Sequence, residues 1–274
     1  MSVSGSGFVS SPQLACRFGT QAAAEIVFVS SNLLKCTSPS GVEGSVSVEV
    51  SGNGADYSSD AVQFRYQSSA VVSSVTPNVG PTSGNTKVLV RGFNFVDSDM
   101  LHCRFGVGAS AVVPARWIST SMVECMSMVH MAGEIAVEVT MNNADYTSNA
   151  VQFKFMPEVE VASVSPTAGT TSGGTVVSVE GSAFAFSQNL QCRFGLAAVA
   201  ATFVSTTEVK CVSPAADAGS VAVSVTGNGV DFSITSAQYE YSAVAKISGV
   251  SPQAGRVAGG TVVSVSGSGF VSSP

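Results

Sequence analysis

The sequence has few charged and few aromatic side chains for its length. Charged residues make up 11% and aromatic residues 8% of its 274 positions, with one tryptophan and two histidines. A net charge of −6 provides no basic surface for phosphate backbones, which argues against nucleic-acid binding. No run of about 18 apolar residues occurs, so we expect no membrane insertion in this segment. The first five residues lack the charged start and apolar run of a signal peptide.

Residues suited to catalysis are also scarce. A serine or cysteine nucleophile needs a histidine base, and both histidines, His102 and His130, lie in the same part of the chain. His102 precedes Cys103 in a predicted strand, where an outward-facing surface side chain is the favoured interpretation. A carboxylate pair for glycoside hydrolysis stays open, but Asp97 and Asp99 have no counterparts elsewhere in the chain. We therefore predict no enzymatic activity and no bound cofactor.

The residues that are abundant suit short strands joined by tight turns. Hydrophobic residues make up 45% of the chain, and there are 27 glycines. So much Val, Ile, Leu and Phe must be buried, which excludes a disordered chain. No segment has a convincing helical period, and the composition excludes a coiled coil.

A tetrapeptide, Cys-Arg-Phe-Gly, occurs three times at spacings of 87 and 89 residues. A second cysteine follows each copy; the pairs are Cys16/Cys36, Cys103/Cys125 and Cys192/Cys211. A Gly-x-x-Phe element precedes each copy and occurs a fourth time near the end, at Gly5/Phe8, Gly92/Phe95, Gly181/Phe184 and Gly267/Phe270. The whole chain is therefore organised by repeats.

The third repeat shows the strand pattern most clearly. Residues 175–180 and 190–194 alternate apolar and polar side chains, as half-buried strands do. Gly227-Asn228-Gly229 predicts a hairpin turn. The other predicted strands are 162–166, 209–212, 220–225 and 237–241. About seven short strands in one period are typical of a β-sandwich.

Together these elements resemble tandem IPT/TIG domains, the immunoglobulin-like fold found in plexins and fibrocystin-like surface proteins. The matching motifs are S-V-x-P starts at Ser74 and Ser163, a related start at Gly249, the Gly-x-x-Phe and Cys-Arg-Phe-Gly elements, Cys-x-Ser-Pro at Cys36 and Cys211, and N-G-x-D-[YF] turns from Asn53 and Asn228. Cys125 begins a degraded Cys-x-Ser-Pro. The resemblance covers essentially the whole chain and implies an all-β rod of immunoglobulin-like sandwiches of the E-set type.

The motif positions predict two complete domains, 71–156 and 159–241. Residues 1–67 form a partial domain without its opening strands, and residues 244–274 supply the opening strands of a further domain. Residues 2–12 and 264–274 are identical, SVSGSGFVSSP, at an offset of 262 that equals three domain periods. Two interpretations stay open: a three-domain super-repeat of a longer protein, or a free subunit whose tail completes its neighbour. An arbitrary boundary is a third, weaker one.

The cysteines are the strongest chemical signal in the sequence. Two per repeat, on two different strands, predict one disulfide within each domain: Cys16–Cys36, Cys103–Cys125 and Cys192–Cys211. Buried free thiols are the alternative, whereas zinc is disfavoured because no C-x-x-C occurs. Disulfides indicate an extracellular setting. Because no signal peptide starts the sequence, this favours a fragment of a longer precursor.

Three further groups of residues recur and have a structural and a functional interpretation. Asp56, Asp145 and Asp231 follow the turn and are expected to cap its amides; calcium at a domain junction, with Asp97, Asp99, Glu158 or Glu160, is the alternative. Arg17, Arg104 and Arg193 either lie on solvated strand surface or bind a carboxylate or carbonyl of the same or the next domain. The paired aromatics Phe64/Tyr66, Phe153/Phe155 and Tyr239/Tyr241 are expected in the core.

We predict that this chain is a structural repeat of an extracellular filament, appendage or giant cell-surface protein. Three-domain super-repeats of 262 residues would join head to tail, so the main partner is the protein itself. Linkers of only about two to four residues would leave little swing between the domains. The alternative is the stalk of an adhesin or receptor ectodomain that binds a protein or a glycan.

Overall fold

The computed structural model describes residues 1–270 and consists almost entirely of strands. The described chain falls into two compact units, Met1–Ser69 and the segment from Ala70 onward. Within residues 1–270 the one helical element is a single 3₁₀ turn, Ala109–Ala111. The predicted all-β class with immunoglobulin-like sandwiches is therefore confirmed.

The first sandwich lies in the first unit. Its strands are β1 (Ser2–Ser4), β2 (Ala15–Phe18), β3 (Gln21–Ala22), β4 (Glu25–Ser30), β5 (Leu33–Thr37), β6 (Gly44–Ser51) and β7 (Val62–Tyr66). One sheet has the order β1-β5-β4 and the other β3-β2-β6-β7. Cys16, Phe18, Leu34, Cys36 and Val48 form the buried core between the two sheets.

The second sandwich has one more strand than the first. Its strands are β8 (Val71–Thr76), β9 (Val79–Pro81), β10 (Lys87–Phe93), β11 (His102–Phe105), β12 (Val112–Ser119), β13 (Met122–Met126), β14 (Gly133–Thr140) and β15 (Val151–Met156). The strand order is β8-β10-β13-β12-β11-β14-β15-β9. Strand β12 belongs to both layers, because its first residues pair with β11 and its last ones with β13.

The third sandwich repeats this topology strand for strand. Its strands are β16 (Glu160–Ser165), β17 (Ala168–Thr170), β18 (Val176–Ser182), β19 (Gln191–Phe194), β20 (Ala197–Ser205), β21 (Glu208–Val212), β22 (Gly219–Thr226) and β23 (Ala237–Ser242). Their order is β16-β18-β21-β20-β19-β22-β23-β17. Strands β17 and β20 had no counterpart in the sequence-based prediction.

The predicted hairpin turn at Gly227-Asn228-Gly229 is a different structure. Strand β22 ends at Thr226 and β23 begins only at Ala237, so the two strands are joined by a longer loop. The Asn228 side chain shapes its start, because its Oδ1 accepts hydrogen bonds from the backbone N–H groups of Val230 and Asp231 at 3.0 and 2.8 Å. An Asx turn at the start of a longer loop thus takes the place of the predicted hairpin turn.

The segment after the third sandwich forms an isolated two-stranded hairpin. Its strands are β24 (Lys246–Ser251) and β25 (Ser264–Ser268), which we call the C-terminal hairpin. Their register reproduces that of β8 with β10 and of β16 with β18, including the bulge near the first strand's start. Residues 271–274, the end of the repeated SVSGSGFVSSP peptide, lie outside the described residues.

The glycine of each Gly-x-x-Phe element marks this bulge. A Cβ at Gly92, Gly181 or Gly267 would overlap the carbonyl oxygen of the adjacent opening strand, at Val71, Glu160 or Lys246. Glycine is thus required by close approach of two backbones. At Gly5 the nearest atoms all belong to Phe8, because within residues 1–270 no opening strand lies beside β1.

The paired aromatics of the last strands lie in the core of the second and third sandwiches, as predicted, whereas Phe64 and Tyr66 of the first sandwich are only half-buried. Phe153 and Phe155 in the second sandwich and Tyr239 and Tyr241 in the third are at most 1% exposed. Burial, with a smaller contribution from Tyr239, raises the pKa of Tyr241, and a contact with Ser213 offsets part of this rise. The third sandwich therefore carries two phenols where the second has two phenyl rings, and the pKa of one of them, Tyr241, is raised.

This difference predicts that the third sandwich is more sensitive to alkali than the second. Because the pKa of Tyr241 is higher when folded than its unfolded value of about 10, its contribution to stability is complete below pH 10. It is then lost as the pH rises through the folded value, by up to about 1.4 kcal/mol per pH unit. Hydrogen exchange at high pH should show earlier opening of β22 and β23 than of β14 and β15. Tyr241→Phe should remove the difference; equal opening in the unsubstituted chain would contradict this account.

Candidate functional site

The first sandwich has two strand edges that are covered in the other sandwiches. Strand β10 lies between β8 and β13, whereas β1 pairs only with β5 among the described strands. The last strands β15 and β23 each carry a parallel partner, β9 or β17, but β7 has none within the described residues. Uncovered edges are templates for pairing with another strand. The strands that would cover these two edges are the counterparts of β8 and β9, which are the first two strands of a complete sandwich.

The C-terminal hairpin exposes the apolar face that its counterparts bury. Val250, Val265 and Phe270 are 41%, 46% and 56% exposed. The equivalent Val75 and Val90 of the second sandwich are 6% and 0% exposed, and Phe95 and Phe184 are nearly inaccessible as well. Each such side chain gains roughly 1.5–3 kcal/mol on full burial. The C-terminal hairpin therefore exposes to solvent the side chains that form part of the core in the complete sandwiches.

The second and third sandwiches are joined by hydrogen bonds from the Asx turn of the third. Asp231 Oδ2 accepts a hydrogen bond from Thr86 Oγ1 at 2.7 Å, and Asn228 Nδ2 donates to the carbonyl oxygen of Val79 at 2.9 Å. Asn228 Nδ2 also donates to Asp231 Oδ2 at 2.7 Å, which fixes the carboxylate. Thr86 is completely buried. The prediction that Asp231 caps the turn amides is wrong, because Asn228 accepts them; the Asp231 carboxylate bonds to the Asn228 side chain and to the preceding domain instead.

The same turn exists in the other two sandwiches with its outer side exposed. Asn53 donates to Asp56 and Asn142 to Asp145, each at 2.8 Å, so the internal geometry is the same. All four side chains are exposed, whereas Asn228 is buried. The turn therefore forms without a neighbouring domain. In the third sandwich the same turn makes an additional contact with the second sandwich.

Thr86→Val is expected to weaken the junction specifically. The substitution removes the donor to Asp231 and leaves shape and turn unchanged, and a hydrogen bond to a charged group contributes about 1.5–3 kcal/mol. Thr175→Val is the matched control, since Thr175 holds the same position in the third sandwich and its backbone N–H likewise bonds a serine hydroxyl. Urea unfolding of the full chain, at a concentration low enough to keep it monomeric so that Thr175 has no contact with a second copy, should show the larger loss for Thr86→Val. Equal losses would refute the junction's role.

The arginine of each Cys-Arg-Phe-Gly element packs on the aromatic ring that follows the turn. The guanidinium carbons of Arg17, Arg104 and Arg193 lie 4.0, 3.8 and 4.0 Å from the ring centroids of Tyr57, Tyr146 and Phe232. Arg17 and Arg104 also form ion pairs with Glu49 and Glu138 on the neighbouring strand. These two arginines bind a carboxylate of their own domain, one of the predicted alternatives.

A cleft of about 580 Å³ lies at the junction of the second and third sandwiches. Its walls are the segment around β9, the linker from Met156 to Val159, the loop near Phe186, and the turn from Gly227 to Ile234. Arg193 also lines it. The cleft combines exposed apolar side chains with the polar groups that join the two domains.

The cysteines occupy equivalent core positions in all three sandwiches. Cys103–Cys125 and Cys192–Cys211 are disulfides, each with Cα atoms 6.3 Å apart. Cys16 and Cys36 differ from the prediction: they are two buried thiols that hydrogen bond to each other. This hydrogen bond, with burial second, raises the pKa of Cys16. The Cys16–Cys36 bridge stays a prediction.

The remaining candidate residues do not converge on one centre. His102 and His130 contact the backbone carbonyls of Met100 and Met131, and Trp117 donates to the carbonyl of Phe95. Of the carboxylates proposed for calcium, Asp231 and Glu158 line the junction cleft, whereas Asp97, Asp99 and Glu160 do not. Across residues 1–270 no group of three His, Cys, Asp or Glu side chains could hold a metal. Calcium at the junction therefore rests on the sequence alone and stays a prediction.

The sequence profile described as the IPT/TIG domain matches residues 1–66, 70–155 and 160–242. The chain belongs to the IPT/TIG domain family. The matched segments coincide with the three sandwiches, and the C-terminal hairpin lies outside them. Among the described residues no helix is long and apolar enough to cross a membrane.

Curated relatives carry the same kind of domain in much longer chains. Fibrocystin-L of Mus musculus is 25% identical over 90% of this chain and 6% of its own length. Plexin-A4 of Mus musculus is 29% identical over 45% of this chain and 7% of its own length. The extracellular region of plexin A4, as a solved structure, is similar over 97% of this chain and 29% of that chain, with 16% identity and a TM-score of 0.46. The chain thus spans less than a tenth of the length of these curated relatives.

Proposed function

We propose that this chain is a structural repeat of an extracellular filament, appendage or giant cell-surface protein, with no enzymatic centre or cofactor of its own. Three-domain super-repeats of 262 residues join head to tail. In this arrangement residues 244–274 of one repeat and residues 1–67 of the next form one complete sandwich. The observation that carries the proposal is the exposed core face of the C-terminal hairpin.

The hairpin contains the elements that the first sandwich lacks. Strand β24 corresponds to the opening strand β8, and residues 254–256 correspond to β9, which would cover the free edge of β7. Strand β25 corresponds to β1 and lies in the repeated peptide, so it can replace β1 beside β5 without changing a side chain. Residues 2–12 and 264–274 are identical, so β5 would pair in the same register with β1 of its own chain or with β25 of the neighbouring chain.

The junction between the second and third sandwiches provides a template for the contact between repeats. A completed first sandwich would follow the third sandwich as the third follows the second. Thr175 corresponds to Thr86, and Asn53 and Asp56 correspond to Asn228 and Asp231. We propose that Asp56 of the next repeat accepts a hydrogen bond from Thr175, so that this joint has the same stiffening contact.

An extracellular location follows from the disulfides and agrees with the kind of protein in which the relatives carry this domain. Formation of Cys16–Cys36 belongs to the same proposal, because all three sandwiches would then be bridged alike. Mass mapping of a non-reduced digest tests this. A Cys16–Cys36 peptide supports it, and free Cys16 and Cys36 in protein purified without reductant would contradict it.

Assembly state is the direct test of the proposed function. Sedimentation of the full chain over a range of concentrations should show growing head-to-tail species, and electron microscopy should show linear particles. A chain that ends at Ser242 should remain a monomer with both central sandwiches folded. Monomers of the full chain at every concentration would contradict the shared domain.

The stalk of an adhesin or receptor ectodomain is the second candidate. The junction cleft favours it, because an open cleft with exposed apolar rims is a feature of binding surfaces. In that case the chain would bind a protein or glycan partner and hold it away from the cell surface. A monomeric full chain that retains a ligand in the cleft would favour the stalk over the filament.

A further inference from the structure

Within the described part of the chain, Arg193 lacks the carboxylate that its two counterparts have. Arg17 lies opposite Glu49 and Arg104 opposite Glu138 in the strand register, but Arg193 lies opposite Ser224. Serine cannot neutralise a guanidinium, and Arg193 forms no ion pair within residues 1–270. The arginine of the Cys-Arg-Phe-Gly element is therefore paired with a carboxylate in the first two sandwiches and, among the described residues, unpaired in the third.

The guanidinium of Arg193 is held in place although its charge is not paired. It lies over the ring of Phe232 at 4.0 Å, which is the packing seen for the two paired arginines. Its Nε atom is buried and has no hydrogen-bond partner among the described residues. A buried donor without an acceptor is destabilising, and an acceptor that reached it would remove that cost.

Arg193 differs from the other two arginines in a second respect, because it lines the junction cleft. Phe186 and Ile234 line the same cleft and are 81% and 87% exposed. The acidic groups there are Glu158 and Asp231, and Asp231 is already bonded to Thr86 and Asn228. Because the described lining has one cation and two acids, it disfavours phosphate or sulfate, and Arg193 can pair with one carboxylate at most.

We propose that the junction cleft binds a carboxylate carried on an apolar body, with Arg193 as its counter-ion. The carboxylate pairs with the Arg193 guanidinium, as Glu49 and Glu138 pair with the arginines of the other sandwiches, and the apolar body lies against Phe186 and Ile234. The carboxylate belongs either to a small free acid or to an acidic side chain of a peptide. This site is independent of head-to-tail assembly, because both of its walls belong to one chain.

Two variants of the full chain separate a binding role of Arg193 from a structural one. Ser224→Glu rebuilds the internal ion pair by analogy with Glu138, so it should fill the site from within. Arg193→Gln removes the charge and keeps a similar length. Both should weaken carboxylate binding by at least about tenfold, in keeping with one charge-assisted hydrogen bond. Glu138→Ser, which frees the counterpart Arg104, is the matched control and should leave binding at the cleft unchanged.

The test is an NMR titration that follows the Nε–Hε resonance of Arg193 and the backbone amide of Ile234, which lines the cleft and is present in every variant. Phenylacetate is the small-acid probe and N-acetyl-Phe-Asp-amide the peptide probe; phenylacetamide and N-acetyl-Phe-Asn-amide are their neutral controls. Saturable shifts with either acid and none with its amide would support the proposal and identify the source. It would be overturned if neither acid shifts these resonances, if the amides act equally, or if binding persists in folded Ser224→Glu or Arg193→Gln.

Discussion

Val265→Asp is expected to abolish association of the full chain while the individual chain still folds. Val265 is 46% exposed in the C-terminal hairpin, so a carboxylate there remains hydrated in the monomer. In the completed sandwich the residue would occupy the place of Val90, which is fully buried. Burying an unpaired carboxylate costs several kcal/mol, so association should weaken more than about a hundredfold.

Ser266→Asp is the matched control for this result. Ser266 is the next residue of β25, and its counterpart Arg91 is exposed on the outer face of the second sandwich. The added charge is the same, but it should stay in solvent after assembly. Sedimentation velocity of the two variants decides the matter. Equal association of both would show that the apolar face of the hairpin is not buried in any complex.

The second large effect concerns the bridge within the second sandwich. Replacing Cys103 and Cys125 together with alanine should lower the free energy of unfolding of that sandwich by about 3 kcal/mol, the value for a loop of this length. Trp117 is the single tryptophan of the chain and packs against the core of the second sandwich. Its fluorescence therefore reports the unfolding of this one domain.

The same double substitution in the third sandwich provides the control. Cys192→Ala with Cys211→Ala removes an equivalent bridge, but no tryptophan lies in that domain. The Trp117 transition in denaturant should then move by less than about 1 kcal/mol, because the two sandwiches meet only at their junction. A large shift of the Trp117 transition in this control would mean that the two domains unfold together. If the transition does not shift when Cys103 and Cys125 are replaced, the Cys103–Cys125 bridge does not stabilise the second sandwich.

The strands that could be predicted from the sequence are those with strong alternation. Residues 175–180 and 220–225 alternate apolar and polar side chains, and the structure has β18 and β22 there. Strand β20 was missed because its Ala-rich start, Ala197 to Ala201, carries little contrast between the two faces. Strand β17 has only three residues, and its parallel partner β23 lies far away in sequence, so no local pattern marks it.

The functional features were harder to predict because they depend on register and on contacts between domains. The three Cys-Arg-Phe-Gly copies look equivalent, and the missing carboxylate opposite Arg193 becomes visible only when β19 is aligned with β22. Asp231 was expected to cap the amides of its own turn, but Asn228 accepts those amides instead. The Asp231 carboxylate accepts from the Asn228 side chain and from Thr86, and the bond to Thr86 joins residues of two domains. The internal repeats offered one usable signal, since the difference between Ser224 and its two glutamate counterparts is present in the sequence.

A cysteine cross-link between copies tests the shared domain most directly. Strand β1 pairs Ser2 with Lys35, and Ser264 is the residue of β25 that corresponds to Ser2. In a chain with Ser264→Cys and Lys35→Cys, the tail of one copy should bond to the head of the next, whereas each single variant should not form this link. Oxidation at micromolar concentration should then give a ladder of covalent multimers on a non-reducing gel, and mass spectrometry should find the peptide in which the two introduced thiols are joined. Monomers alone, or multimers without that peptide, would contradict head-to-tail completion of the first sandwich.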